Sequence, residues 1–478
     1  MEVAAMKKLL TATDPRRLEF NTKYKQSLRY YFNENDITLR NNGESKVEEH
    51  GKDELLRSAD NRVSNNYHQL LVDQEAGYVA TVPPSIDVED DTLNDKIKDA
   101  LGDNFNLRLN QLVIDTSNAG KGWLHYWIDE DNHFRYGIVP PDQVTPIYSS
   151  DLTRKLIAVR RTYSQLNPED GKTYNVHEYW TDKDVTVFTS KSGDYRDLQP
   201  YTDRFTFYDI TTGEITGTTN VYNHQFGRIP FIGFQKNKFE RPELNKYKGL
   251  IDVYDNVYNG FVNDIDDVQQ VILVLTNYGG ESLEEFKKAL KKDKAVKFES
   301  MSPGDKSGLD KLTIDIPVEA RNSVMESTKG DIFVHGQGID PTKFEANNAT
   351  GVAIKMLYSH LELKAAQTES YFRDSVSELI RAIMKWLNIA DADIRPINQT
   401  WTRTAIQNDV EQAQIVSSLS NITSDENIAK GNPLVEDWQE ELELRKDDVV
   451  KHDGFDNPGA FDDLKPDDDN PNDDEVEE

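Results

Sequence analysis

The chain has 478 residues with a formal net charge of −30, 29% charged and 37% hydrophobic side chains, and no cysteine. The length suits two to four domains with cores of their own, and the lack of cysteine excludes disulfides and thiolate metal sites. An excess of carboxylates argues against a protein that grips nucleic acid, because phosphate binding draws its affinity from a basic surface.

The N-terminus, MEVAAMKKLLTATDPRRLEF, lacks the apolar core of a signal peptide. The most apolar run, Val271–Leu275, is far too short to cross a bilayer. The expectation is a soluble intracellular protein without membrane association, in which the sequons at Asn348, Asn398 and Asn421 are chance matches. Residues 55–80 carry Leu55, Leu56, Val63, Tyr67, Leu70, Leu71 and Tyr78 and predict a helix that stops before Pro83-Pro84, after a polar loop over Asn41–Asp53. From about 122 to 235, alternating runs at Trp123–Ile128, Leu156–Thr162, Val176–Trp180, Val185–Thr189 and Phe205–Ile210, punctuated by Gly, Asp and Asn, predict antiparallel strands.

A long helix is expected from Tyr247 to Asn277, with Leu250, Val253, Tyr254, Val257, Phe261, Ile265, Val268, Ile272 and Leu275 at three/four spacing. It would extend about 45 Å. Asp252, Asp255, Asn259, Asn263 and Asp266 form a polar stripe on another face, which a solvated helix surface would explain without any function. Gly279-Gly280 ends this helix, and 281–316 reads as a small module. Ser282 and Glu285 form a capping box for a helix ending near Leu290, followed by strands at Ala295–Glu299 and Lys311–Ile316. Lys287, Lys288, Lys291, Lys292, Lys294 and Lys297 form a basic cluster that is either a solvated face or a surface for an acidic partner or DNA. Pro317 opens a further helix, which ends at Gly336 and Gly338. A polar loop, Asp340–Thr350, then leads into a second very long helix from Gly351 to about Leu387, with Thr350 as N-cap. Helices are expected at about Asp409–Leu419 and Pro433–Val450, and Asp462–Glu478 is a disordered acidic tail by composition.

Enzyme signatures are nearly absent. Gly120-Lys121 imitates the end of a phosphate loop, but Gly122 stands where Ser or Thr should bind magnesium and Asp115 where the opening glycine belongs. Neither G-x-S-x-G nor H-E-x-x-H occurs. Asp129, Glu130 and Asp131 lack the glycine of a calcium loop and read as a hairpin turn, and the flanking His125 and His133 suit strand positions as well as ligand roles. Acidic pairs are too numerous for one to be singled out as catalytic. No cofactor is expected.

Several collinear segments resemble the siphophage portal family of Gram-positive hosts. They are SLRYYFNENDITLR, NRVSNNYHQLLVDQEAGYVATVPPSI, IVPPDQVTPIYSSD with AVRRTY, the junction FGRIPFIGFQKNKFERPELNKYKGLIDVYDNVYNGFVNDIDDVQQVILVL, ATGVAIKMLYSHLELKAAQTESYF, and the C-terminal NDVEQAQIVSSLSNITSDENI and NPLVEDWQEELE. The resemblance covers about residues 20–450. It implies an α+β portal fold, in which 1–246 form the wing, 247–280 the first stem helix, 281–316 the clip, 317–338 the second stem helix, 339–350 the tunnel loop, 351–402 the long helix with a return to the wing, 403–452 the crown, and 453–478 the tail. It further implies a non-enzymatic, twelvefold ring in the virion, assembled in the host cytoplasm, that passes double-stranded DNA through its axis. Such a ring docks the terminase large subunit and then head completion or adaptor proteins, and it meets the major capsid and scaffolding proteins. On this reading Asp252, Asp255, Asn259, Asn263 and Asp266 would line the channel, Lys343, Asn347 and Asn348 would face DNA from the tunnel loop, and Lys287, Lys288, Lys291 and Lys292 would bind partners at the clip. Two other classes stay open: a virion structural or assembly protein without a channel, and a hydrolase using acidic pairs. Some family members carry an additional C-terminal domain where this chain has its acidic tail.

Overall fold

The computed structural model describes residues 1–39 except 13, 59–268 except 169, 192, 194 and 210, then 272–276, 308–312, 316–343, 351–403 and scattered positions between 417 and 444. The chain divides into two compact units, Met1–Phe344 with Leu357–Thr404, and Glu345–Met356 with Ala405–Glu478. The first unit holds the antiparallel sheets and most of the described helices.

Helices α1 (Val3–Thr11) and α2 (Pro15–Tyr31) come first, then the short α3 (Asp36–Leu39). Asp14 caps α2 by accepting the Arg16 N–H at 2.9 Å, with Pro15 in the first turn, where its missing N–H costs nothing. Helix α4 (Tyr67–Ala80) is followed by the short strand β1 (Ser85–Asp87), α5 (Asp91–Leu101) and α6 (Phe105–Ala119). The predicted helix over 55–80 is thus shorter: 59–66 is not helical, and 55–58 lie outside the described residues. The run Asn61, Asn65, Asn66 accounts for the late start, since Asn competes for backbone hydrogen bonds and favours helix ends and turns.

Two antiparallel sheets carry the alternating runs. The first joins β2 (Lys121–Ile128) to β3 (Phe134–Val139) on one side and to β12 (Phe231–Gln235) on the other. The second is built on the order β11-β7-β6-β5-β4, from β4 (Val144–Tyr148), β5 (Leu156–Leu166), β6 (Thr173–Trp180), β7 (Asp184–Ser190) and β11 (Val221–Asn223), with β8 (Gln199–Pro200) also pairing with β7. A separate hairpin pairs β9 (Phe205–Tyr208) with β10 (Ile215–Thr219). The inward residues of both sheets meet in one cluster of Trp123, Val139, Val144, Val159, Ile229 and Phe231. His125 is stacked on Phe231 at 4.4 Å between ring centroids, and its Nδ1 lies 2.7 Å from the Pro230 carbonyl oxygen. Burial pushes its pKa down to about 4, so it is a neutral core side chain at ordinary pH. The turn reading at 129–131 holds: Asp129 accepts from the His133 N–H and from Arg135 Nε, both at 2.7 Å, and Asn132 is left-handed.

Helix α7 runs Lys248–Val268, shorter than the predicted Tyr247–Asn277. The apolar run Ile272–Thr276 is instead strand β13, paired antiparallel with β14 (Gly308–Leu312). Its β-branched residues lose side-chain freedom in a helix and suit a pleat. The module between the helices therefore opens with a strand. Its second strand begins at Gly308 and overlaps the predicted Lys311–Ile316 only at 311–312, and Ala295–Glu299 and the Ser282–Leu290 helix lie outside the described residues. Helix α8 (Val318–Gly336) matches its prediction and ends at left-handed Gln337. The long α9 (Gly351–Trp386) likewise matches, with Leu361, Phe372, Leu379, Ile380 and Ile383 buried. A short β15 (Asn398–Thr400) pairs back onto β1. Most of the predicted helices at 409–419 and 433–450, the cap at Thr350 and the tail lie outside the described residues.

Gly120 ends α6 at φ +83 and passes directly beneath the backbone of Glu240: an added Cβ would lie 2.3 Å from the Glu240 carbonyl carbon and oxygen. Gly120→Ala therefore combines a left-handed φ with a clash against backbone that has no rotamer to yield. The expected loss is about 3 kcal/mol or more of unfolding free energy, read as a lower midpoint in urea. A variant within error of the parent would show that this close approach does not exist.

Candidate functional site

Helices α7 and α8 pack together, and their bases are fixed by Tyr30, Leu71, Leu244, Tyr247, Ile251, Ile332 and Phe333, a single apolar cluster. Farther along, Arg321 of α8 pairs with Asp264 of α7 and covers the Phe261 ring at 5.6 Å.

The polar stripe of α7 has a definite job within the chain: it holds residues 61–65. The Asn61 N–H and Nδ2 donate to Asn263 Oδ1 at 2.7 and 2.9 Å, and Nδ2 also donates to Asp266 Oδ2 at 2.6 Å. The Val63 N–H donates to Asn259 Oδ1, and Asn259 Nδ2 returns a bond to the Val63 carbonyl, both at 2.7 Å. Asn65 donates from its N–H and its Nδ2 to Asp255 Oδ1, while Asn35 Nδ2 takes the other oxygen. Every second strap residue meets every fourth helix residue. The match is geometric: two residues of nearly extended chain advance about 6.6 Å, and four helical residues about 6 Å. Asn259 thus acts as a surrogate peptide, offering one donor and one acceptor to Val63.

This arrangement corrects part of the channel assignment. Asp255 and Asn259 are 1% and 3% exposed, covered by the strap inside the chain, so they do not face a bore. Burial pushes Asp255 upward in pKa, opposed by its amide donors. Asp252 is bonded to Tyr30 and to Lys248, which also pairs with Asp36 at 2.7 Å. Asn263 and Asp266 are partly open to solvent but are engaged with Asn61. Lys287, Lys288, Lys291, Lys292, Asn347 and Asn348 lie outside the described residues, as does the side chain of Lys343.

The root of the 340–350 loop is described, and it is clamped to α4. The Gln74 carboxamide donates to the Ile339 carbonyl at 2.7 Å and accepts its N–H at 2.9 Å. Gly336 and Gly338 let the backbone run against Leu71, where a Cβ would come within 2.4 and 2.2 Å of the Leu71 methyl groups. Asp340 accepts from the Thr342 N–H and hydroxyl and pairs with Lys329 at 3.3 Å.

Behind this clamp lies a buried ionic cluster that sequence reading did not find. Glu75 of α4 pairs with Lys236, at the end of β12, and with Lys364 of α9 at 3.1 Å. Lys364 also reaches Glu243 at 3.2 Å, in the 3-10 turn (Glu243–Lys246) that leads into α7. Thr368 donates to Glu75 at 2.6 Å, and Lys364 donates weakly to the Leu71 and Gly336 carbonyls. All four charged residues are at most 2% exposed. Burial favours the neutral form of each carboxyl, but the two ammonium groups outweigh it and hold Glu75 and Glu243 below the ordinary carboxylate range. Burial lowers Lys236. It acts on Lys364 too, but two facing carboxylates outweigh it and raise that group. Beside the cluster, His68 lies 2.8 Å from the Tyr247 hydroxyl and 3.0 Å from both Ser27 and Asn118. The network joins the end of a sheet, the base of α7, the long α9 and the root of the 340–350 loop. Its carboxylates are buried and each pairs with two ammonium groups, Glu243 with Lys246 at 2.8 Å as its second, although one oxygen of each carboxylate accepts no hydrogen bond. Among the described residues no cluster of three or more His, Asp or Glu could hold a metal ion. Lys121, of the imitation phosphate loop, is buried against Glu240 at 2.9 Å and Tyr148 at 2.7 Å.

Comparison with known proteins agrees with this construction. The family described as "Phage portal protein, SPP1 Gp6-like" matches residues 13–449. The chain belongs to this phage portal protein family. It is 36% identical over 457 residues to the portal protein of Clostridium phage phiCD119, covering 93% of this chain and 95% of that protein. It is 29% identical to the portal protein of Bacillus phage SPP1, covering 93% and 88% respectively. Among solved structures it is similar to a chain in the neck of an empty GTA particle computed with C6 symmetry, at 12% identity and TM-score 0.46, covering 77% of this chain and 91% of that one. A chain in the neck of a native GTA particle computed with C12 symmetry gives TM-score 0.42. The portal family is a structural class, and membership in it confirms the α+β portal reading of the sequence. No described helix is long and apolar enough to cross a membrane.

Two substitutions test the site. Lys364→Met leaves Glu75 with only Lys236 and Glu243 with only Lys246, two buried carboxylates short of a counter-charge, and should lower the unfolding free energy by about 3 kcal/mol. A loss below about 1 kcal/mol in chemical denaturation would mean that the cluster is not closed as described. Asn259→Ala removes both bonds to Val63 and should cost about 2 kcal/mol, with new proteolytic cleavage at 59–66. An unaltered digest would disconnect the strap from the helix.

Proposed function

We propose that copies of this chain close into a ring, twelvefold in the assembled particle, that forms the DNA channel at one vertex of a phage head. Portal family membership across residues 13–449 carries this reading. Within the chain it is supported by the α7/α8 pair bracketing the β13/β14 strand pair, with Val318, Val324 and Val334 of α8 left exposed for neighbouring copies. On this reading 1–246 form the wing, α7 and 317–338 the stem, and 351–402 the long helix with its return. The clip, expected at 281–316, is extended to include β13 from Ile272, with 339–350 the tunnel loop and 403–452 the crown. The ring docks the terminase large subunit during packaging and head completion or adaptor proteins afterwards. It is built into the virion from the host cytoplasm with capsid and scaffolding proteins. The energy for DNA movement belongs to the motor.

With Asp255 and Asn259 committed to the strap, the channel-facing candidates move to α8, where Glu319, Ser323 and Glu326 are exposed at helical spacing. Carboxylates there repel phosphates and let DNA slide. Lys343, Asn347 and Asn348 remain the candidates for contact with DNA, and Lys287, Lys288, Lys291 and Lys292 for partner binding at the clip.

Purified protein viewed by negative-stain microscopy should give annular particles with a central hole. A strictly monomeric protein under every salt and concentration tried would reject the ring, and a ring whose heads package DNA normally with Glu319→Lys and Glu326→Lys together would reject the lining.

A further inference from the structure

In a chain of net charge −30, one concave region runs the other way. A groove of about 500 Å³ lies between the start of α2, strands β2 and β4, and the turn 237–241, and its cationic side chains outnumber its carboxylates seven to three. Some of these cations are already used: Lys121 holds Glu240, Lys23 holds Glu19, and Arg17 bonds the Pro141 and Asp142 carbonyls. Arg16, Arg154 and Lys238 are exposed and have no carboxylate partner among the described residues. Arg154 lies over the Tyr148 ring at 5.2 Å, and Lys238 beside Phe239 at 5.9 Å.

The turn on the groove's edge is built to hold a side chain out. Asn237 Oδ1 accepts the N–H groups of Phe239 and Arg241 at 3.1 and 3.2 Å, and its Nδ2 donates to the Arg241 carbonyl at 2.8 Å. Glu240 is left-handed, anchored by Lys121 and by Gln235 at 2.9 Å, with Gly120 directly beneath. The product of this fixed turn is Phe239, a large apolar side chain left 75% exposed. An exposed aromatic on a fixed turn beside cations without a carboxylate partner has the form of a binding anchor, because the backbone that carries it is already ordered before association.

We propose that this groove docks an acidic polypeptide segment of another protein, carboxylates facing Arg16, Arg154 and Lys238 and an apolar side chain packing on Phe239. The volume lies within the ~300–1,000 Å³ of ligand-sized clefts. The proposal does not depend on ring formation, since every residue it uses lies within one compact unit of one chain.

The test is fluorescence anisotropy on the full chain with labelled glutamate-rich peptides, one interspersed with phenylalanine and one without, and with a labelled duplex DNA. The wild type should bind both peptides saturably and less tightly as salt rises. Arg16→Glu, Arg154→Glu and Lys238→Glu combined should weaken both by about tenfold or more, equivalent to about 1.4 kcal/mol. Phe239→Ala should weaken only the phenylalanine-containing one. All four positions are exposed, so the variants should melt as the parent does. Peptide affinity unchanged in the triple variant, or duplex DNA bound in preference through the same residues, would overturn the proposal. Self-association lost in the triple variant without any peptide binding would assign the groove to a second copy and overturn it equally.

Discussion

Four charged side chains buried together set the geometry on which the rest of this subunit depends. Taking a carboxylate or ammonium out of water costs several kcal/mol per ion even after relaxation, so Glu75, Glu243, Lys236 and Lys364 are tolerable only in one mutual arrangement. That arrangement fixes, relative to one another, the end of β12, the turn before α7, the middle of α4 and the second quarter of α9. An apolar core of similar volume would tolerate sliding; paired charges do not, because any displacement leaves a carboxylate facing hydrocarbon. The cluster therefore acts as a registration device at the point where α7 leaves the sheet-bearing body and where α8 returns to it.

Mechanical consequences follow from the position of α4. The helix carries Glu75 into the cluster, Gln74 onto the Ile339 peptide, Leu71 under Gly336 and Gly338, and His68 toward Tyr247. The chain at 336–340 is thus tied to α4, and α4 to the base of α7, through hydrogen bonds and ion pairs. The strap adds a second restraint, gripping α7 along its length at Asp255, Asn259 and Asn263.

Legibility in the sequence followed the range of the interactions. Helices α8 and α9 and the strands from 121 to 190 were readable because apolar spacing, Pro317 and alternation are local signals, and the collinear segments gave the family. The stripe on α7 was visible as a pattern, but its meaning was not: the asparagines that complement it sit some 200 positions earlier, and a covered polar face has the same periodicity as a solvated one. The same apolar period extended α7 too far, since Ile272 and Leu275 fall in phase with a helix that β-branched residues and strand pairing end. The ionic cluster left no trace. Its members are scattered along the chain, with Thr368 bonded to Glu75 across 293 positions, and each looks like an ordinary surface residue.

The charge of −30 remains the feature that any assembly of this chain has to accommodate. Exposed like charges repel, but at physiological salt the interaction fades beyond about 8 Å, whereas apolar contact is unaffected by screening. Helix α8 places Val318, Val324 and Val334 on its exposed surface among Glu319, Glu326 and Asp331. Any contact made through those valines would bring carboxylates close enough for salt to matter, so it would be favoured where counterions are plentiful and loosened where they are scarce.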